Sequence, residues 1–354
     1  EPAEAVPLVR RALASGRCGE VVVGRGLGML TEEIAADGGL DPAAFARGRC
    51  AAAAAVLPFG AATMNRNQGV RVSIEVDPKT EPFLHDHEID GTPVLPGVMG
   101  LEAFAQVATL LVPGTHVAAI TEVKFLSPLK YFRREPRPAF IQALAMRMAD
   151  GRIAVKSTLT STQVVAGRPA EEKLHFTATV WLAPGKRPTP SIVANGPLEK
   201  TGEPIGQDAI YRVFFHGPAY RVLSRVLRTE SGAFAGALSA NLPADTSKPG
   251  AAAMFSPRLV ELCFQTAGVY EIGATGQLGL PAAVDRVAVW EVPGVATPLV
   301  AEVTPNQRNG LSFDARVMDA DGRVVVEIEG YRTALLPGGL PELHLAPFRA
   351  VVRA

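Results

Sequence analysis

Between Leu84 and Gly97 the chain reads LHDHEIDGTPVLPG. Histidines at 85 and 87 flank Asp86, Gly91 follows, and Pro96-Gly97 opens an apolar run. An ordinary imidazole changes charge near neutral pH. The stretch therefore holds the material for a general base, a pH-sensitive turn or a metal site. The metal reading is the weakest of the three. Neighbouring side chains on an extended segment point to opposite faces, and the sequence offers no further Cys/His cluster.

The elements that must position these residues are legible from their periodicity. GVRVSIEVDP alternates Val70, Val72, Ile74 and Val76, one face of a half-buried strand. Val98–Val112 is apolar nearly all round, the mark of an enclosed helix rather than a surface one. Strands are expected at about 117–125, 138–148, 152–163 and 173–183, the middle pair joined by the hairpin signal Asp150-Gly151. Pro184–Pro204 reads as a linker from its composition. Strands return near 220–230 and 233–241, followed by a helix at about 256–273. Further strands are expected at about 284–291, 298–305, 311–319 and 323–334, the last two joined by Asp321-Gly322.

That return is an internal repeat. LEAFAQVA (Leu101–Ala108) echoes VELCFQTA (Val260–Ala267), so Glu102 and Gln106 match Glu261 and Gln265; MADGRIAV likewise echoes DADGRVVV. Each half is one long enclosed helix followed by antiparallel strands, a sheet wrapped around a helix. The expectation is an α+β double hotdog whose two sheets join edge to edge. Residues 1–62 have a different texture: a helix, a strand at Glu20–Val23, then Gly24, Gly26 and Gly28. These glycines are not a dinucleotide fingerprint, because Met29 stands where a third glycine would be needed.

The stretch His87-Glu-Ile-Asp-Gly91-Thr-Pro-Val-Leu-Pro96 fits HxxxGxxxxP, and here the chain resembles the β-hydroxyacyl thioester dehydratases, especially the dehydratase domains of polyketide and polyunsaturated fatty acid synthases. In the second half FFHGPAYRV (Phe214–Val222) resembles the family's YGPxF-type block, SPRLVELCFQ its PxLLDxxxQ block, and LPAAVDRV its LP-containing strand. The resemblance implies a histidine base from one half and a carboxylic acid from the other. His87 lies fifteen residues before Glu102, whereas the matching point before Glu261 is Thr246, with no histidine near. One active site is therefore expected, His87 with Glu261, and Glu102 becomes a leftover copy beside no base. The acid is expected to carry a raised pKa.

Pro96 and Gly91 are turn and helix-entry residues, and the free N–H groups of Gly97 and Val98 are candidates to hold the thioester carbonyl. Gln265, one turn beyond Glu261, is expected to position the acid. His216, Gly217, Pro218 and Tyr220 are candidate pocket residues, with Tyr220 also read as core. His85 fits no motif position and is read as a supporting residue, and Asp86 as no member of a triad. The resemblance pairs Asp, not Glu, with this reaction in polyketide dehydratases, so Glu261 is a departure.

The implied function is removal of water from a 3-hydroxyacyl thioester on an acyl carrier protein, the substrate riding on a phosphopantetheine arm and no cofactor or metal taking part. Alternatives are enoyl isomerisation at the same site, or a degenerate hotdog that binds acyl chains or holds modules together. The expected organisation is a 1–62 extension from a preceding synthase domain, a first hotdog at 63–183, a linker at 184–204, a second hotdog at 205–336 and a C-terminal linker at 337–354. Partners would be the carrier protein and neighbouring synthase domains, with a homodimer possible through the parent synthase. Lys130, Arg133, Arg134 and Arg137 form either a solvated loop or a docking patch for an acidic carrier. Net charge is zero, no run of about 18 apolar residues occurs, and the three cysteines (Cys18, Cys50, Cys263) are far apart. These argue against nucleic-acid and membrane binding and for a reducing, cytoplasmic setting.

Overall fold

The computed structural model describes residues 2–16, 56–65, 68–112, 114–148, 150–163, 169–189, 200–248, 251, 253–290, 298–307 and 310–353. Helix α1 spans Pro2–Ala14. The strand expected at Glu20–Val23, its glycines, Cys18 and Cys50 lie outside the described residues.

The first half contains β1 (Phe59–Asn65), β2 (Gly69–Val76), a short hairpin of β3 (Glu88–Ile89) and β4 (Thr92–Pro93), helix α2 (Gly97–Leu111), then β5 (Thr115–Phe125), β6 (Arg137–Arg147), β7 (Ile153–Gln163) and β8 (Glu171–Pro184). The second contains β9 (Lys200–Gly206), β10 (Leu223–Thr229), β11 (Phe234–Leu238), helix α3 (Pro257–Thr275), β12 (Gly279–Val289), β13 (Val300–Asn306), β14 (Ser312–Met318) and β15 (Val324–Leu335). A last helix, α4, covers Glu342–Arg353.

All strands but the short hairpin form one antiparallel sheet, ordered β1-β2-β6-β7-β8-β5-β12-β15-β14-β13-β11-β10-β9. The seam is β5 against β12, with Val123 opposite Val284 and Ile120 opposite Val287. The expected edge-to-edge double hotdog is what the chain builds. Each half-sheet curls around its own helix because one face of every strand is apolar: in β2, Val70, Val72, Ile74 and Val76 are all fully buried. Helix α2 buries residues on every side, including Met99, Ala103, Phe104 and Val107, and α3 does the same with Val260, Leu262, Ala267 and Val269. The two hairpins turn where expected, with Gly151 at φ 82° and Gly322 at φ 78°.

Three boundaries move. The first half begins before residue 63: β1 pairs with β2, and Val56 and Leu57 are buried in the core. Gly60 and the small residues around it hid this edge strand. The linker ends earlier than 204, because Lys200–Gly206 is the outer strand β9, paired with β10. Residues 337–354 are not a bare linker. Helix α4 buries Leu345, Phe348 and Val351, spaced three apart, against α3, where a Cβ on Gly273 would meet the Phe348 carbonyl oxygen at 2.5 Å.

Candidate active site

His87 is placed by two turns. Pro82 opens a single helical turn, Pro82–His85, and the His87 N–H then donates to the Leu84 carbonyl. The chain next reverses through Asp90 (φ 50°) and Gly91 (φ 72°), left-handed at both central positions of the β3–β4 hairpin. This reversal brings Val94 back beside His87. The Val94 N–H donates to the His87 carbonyl, and His87 Nδ1 lies 2.8 Å from the Val94 carbonyl oxygen. A carbonyl only accepts, so Nδ1 carries the hydrogen and Nε2 keeps its lone pair. Burial first, and the neighbouring His216 second, push the His87 pKa down to about 4, against the pull of Glu261 and the Val94 carbonyl.

The sign of that shift gives a stability prediction. An unfolded His87 picks up a proton near pH 6.5, the folded one only near 4. The contribution is therefore fully present above about 6.5 and is lost as pH falls through about 4, worth about 3 kcal/mol. His87→Gln should flatten the pH dependence of urea unfolding by that amount across this window. Equal slopes in both proteins would contradict a neutral, buried His87.

Glu261 sits on the second turn of α3, after Ser256 (φ 49°) and Pro257. Its Oε1 accepts from Gln265 Nε2 at 2.9 Å and faces His216 Nε2 at 3.1 Å, and no protein donor reaches Oε2 among the described residues. Gln265 is itself held: Nε2 also donates to the Tyr220 carbonyl, and Oε1 accepts from the Tyr211 hydroxyl, which accepts from Leu223 N–H. Tyr211 had no motif to mark it. The expected raised pKa is corrected. Burial pushes the Glu261 carboxyl up, but the His216 hydrogen bond and charge, His87 and Gln265 together outweigh it and hold the group below the usual carboxylate range.

Both residues line one cavity of about 270 Å³. Its walls are Phe125, Phe176, Phe214, Phe215, Phe264 and Tyr331. The α3 residues lining it run from Glu261 to Gly268, about 10 Å of helix. Gly97 also lines it, at the start of α2, and a Cβ there would come within 2.8 Å of the Phe125 ring. Met99 and Gly100 N–H turn back to the Pro96 carbonyl, leaving the Gly97 and Val98 amides without an acceptor among the described residues. His216 lines the cavity, but Gly217, Pro218 and Tyr220 do not: Tyr220 is wholly buried, and Gly217 packs against Asp86. Phe214 and Phe215 take the lining role instead.

Asp86 has a part the sequence did not show. Its Oδ2 accepts from Ala219 N–H at 2.6 Å, and its carbonyl accepts from Gly217 N–H at 2.7 Å. It thus caps the Pro218–Tyr220 turn and ties the second half's loop to the first half's motif, setting His216 beside His87 with ring centroids 5.3 Å apart. His85, more exposed, pairs with Asp86 at 3.0 Å.

Glu102 lies at the equivalent point on α2 and does not line the cavity shared by His87 and Glu261. Its carboxylate accepts Met254 N–H and Phe255 N–H, both at 2.7 Å, as well as Gln106 Nε2. The second half's loop fills the space that the catalytic-type loop leaves open in the other copy. Burial raises the Glu102 pKa, and the two amides and Gln106 pull it back in part. Glu102→Gln sets an amide against a backbone donor and should cost about 2 kcal/mol in urea unfolding. An unchanged midpoint would contradict this structural role.

Of the basic residues in the 129–140 stretch, Arg134 pairs with Glu88 at 2.7 Å and Arg137 binds the Lys130 carbonyl, Ser161 and Thr162. Among the described residues no group of three or more His, Cys, Asp or Glu is placed to hold a metal ion, and no helix is long and apolar enough to cross a membrane.

Two family models match the chain: "Polyketide synthase dehydratase domain" over residues 59–158 and "Polyketide synthase dehydratase N-terminal domain" over 193–342. The chain is 23% identical over 253 residues to one of the polyunsaturated fatty acid synthase subunits of Thraustochytrium sp., covering 67% of this chain but only 8% of that protein's length. Among solved structures it is similar to the dehydratase domain of the CurF module of curacin polyketide synthase (TM-score 0.64, 18% identity, 80% of this chain and 100% of that one). The dehydratase domain of PpsC from Mycobacterium tuberculosis is also similar (TM-score 0.61, 19% identity, 79% of this chain and 98% of that one).

Proposed function

Because the chain belongs to the polyketide synthase dehydratase family, we propose that it removes water from a 3-hydroxyacyl thioester on an acyl carrier protein, giving the trans-2-enoyl thioester within a larger synthase. One observation carries this reading. An imidazole whose Nε2 is left as the proton-accepting nitrogen and a carboxylate from the opposite half line the same aromatic-walled cavity. His87 Nε2 takes the α-proton, and Glu261 protonates the departing hydroxyl. The Gly97 and Val98 amides, at the positive end of α2, stabilise the charge that gathers on the thioester oxygen. Proton transfer and carbonyl polarisation are all the chemistry requires, so no cofactor enters beyond the carrier's phosphopantetheine arm.

The carrier itself would dock at the mouth of the cavity. Leu126 is 54% exposed and itself lines the cavity with Ser127 and Pro128, and Phe132, 63% exposed, follows them in the chain. Lys130 and Arg133 supply positive charge suited to an acidic partner. The test is incubation with carrier-bound 3-hydroxyacyl chains of several lengths, followed by mass spectrometry. Loss of one water supports the proposal. A substrate mass that never changes, across lengths and both hydroxyl stereoisomers, overturns it. Formation of 3-enoyl from added trans-2-enoyl thioester would instead report isomerisation.

A further inference from the structure

The site contains a second imidazole that the two-residue scheme leaves idle. His216 is 6% exposed, lines the cavity, and places Nε2 3.1 Å from Glu261 Oε1. It stands where the YGPxF pattern has tyrosine, a side chain that holds its proton until about pH 10. The neighbouring His87 is committed by the Val94 carbonyl to one tautomer, but His216 Nδ1 has no partner among the described residues. No acceptor on the far side of the ring fixes its tautomer, and the partner of His216 Nε2 among the described residues is Glu261. The ring is nevertheless fixed in place. The His216 carbonyl accepts from Arg221 Nε at 3.0 Å, Gly217 N–H is bound by the Asp86 carbonyl, and Phe215 stacks on the imidazole at 4.5 Å. A titratable group is thus aimed rigidly at the acid.

We infer that His216 is a positioning residue for Glu261 that also shares its proton, so that the acid of this site is a Glu261–His216 pair. The inference rests on the dehydratase reading and deepens it. The pair solves a difficulty of the site: a carboxyl held largely ionised by its neighbours is a poor lone acid, whereas a pair bound to one proton can still deliver it. The α C–H bond breaks, and its proton goes to His87 Nε2. The electron pair left on carbon forms the double bond as the Cβ–O bond breaks. The one proton the pair shares passes from His216 Nε2 to Glu261 across the 3.1 Å contact and from Glu261 to the departing oxygen, leaving the pair one proton short. The cycle closes when the proton on His87 returns to the pair through the product water. No oxidant or other reactant is consumed.

The test uses the whole chain. With histidine labelled in its ring nitrogens, the wild-type protein should show one strongly downfield imidazole N–H proton that His216→Phe removes and Glu261→Gln moves upfield. This is read without substrate, so its failure is separate from failure of the dehydratase reading. On substrate, His216→Tyr keeps a hydrogen bond to Glu261 but offers no proton near neutral pH, and should lower kcat about 10-fold with KM little changed. His216→Phe should lower kcat further, to about 100-fold. Absence of the downfield proton from the wild type, or a His216→Tyr protein with wild-type kcat, overturns proton sharing. A wild-type kcat in His216→Phe overturns the positioning role as well.

Discussion

Replacing His87 with phenylalanine is expected to cut dehydration by about 10³-fold and to leave the fold in place. The reason lies in which atoms the ring uses. Nδ1 is spent on the Val94 carbonyl, and His87 is the only titratable side chain of the first half lining the cavity among the described residues. With a pKa near 4 the imidazole is neutral across the working range, so the loss in rate should be the same at pH 6 and pH 8. Phenylalanine keeps the ring's edge contacts, at centroid distances of 5.0 Å to Phe215 and 6.3 Å to Tyr220. The hairpin after it does not depend on the side chain, because the Val94 N–H still reaches the residue 87 carbonyl at 3.0 Å. The lost Nδ1 bond costs about 1 kcal/mol, well inside what a domain of this size tolerates. Mass spectrometry of the carrier-bound substrate reads the outcome. A His87→Phe protein that turns over normally would move the base elsewhere and remove the main support for the proposed reaction.

How far the sequence showed this site follows from the range of the interactions involved. Strands β2, β5 to β8 and β10 to β15 were visible because a two-residue alternation and an Asp-Gly turn are local signals. The pairing of His87 with Glu261 was reachable only through the internal repeat, which located the missing histidine of the second half. Contacts with no repeat or motif behind them stayed hidden. Asp86 meets Ala219 across 133 residues, and His216 meets Glu261 across forty-five. The direction of the Glu261 shift was out of reach for the same reason. Burial and opposing charges act on that carboxyl in opposite senses, and which prevails depends on where His216 lies. Helix α4 was missed because a short segment interrupted by Pro347, with only Leu345, Phe348 and Val351 buried, is a weak signal until α3 is there to receive them.

The same helix position in the two halves provides the most discriminating comparison, and it makes Glu261→Gln the second large expected effect. Glutamine has the shape of glutamate and can still accept from Gln265 and His216 through its oxygen, so folding should be little changed. It cannot deliver a proton, and dehydration should fall about 10²- to 10³-fold. Glu261→Asp keeps the acid that the resemblance leads one to expect here but shortens the side chain by a methylene. The contacts at 2.9 and 3.1 Å to Gln265 and His216 would stretch, and activity should drop about 10-fold rather than vanish. Glu102→Gln, on the matching Glu-x-x-x-Gln of α2, should show the reverse: reduced stability with dehydration retained, since its carboxylate is consumed by Met254 and Phe255 amides away from the cavity. Steady-state rates and urea midpoints of the three proteins separate a carboxyl that moves protons from one that holds a loop. If Glu261→Gln kept full activity while Glu102→Gln lost it, the chemistry would belong to the other half of the repeat, and the cavity lined by His87 would not be the site of dehydration.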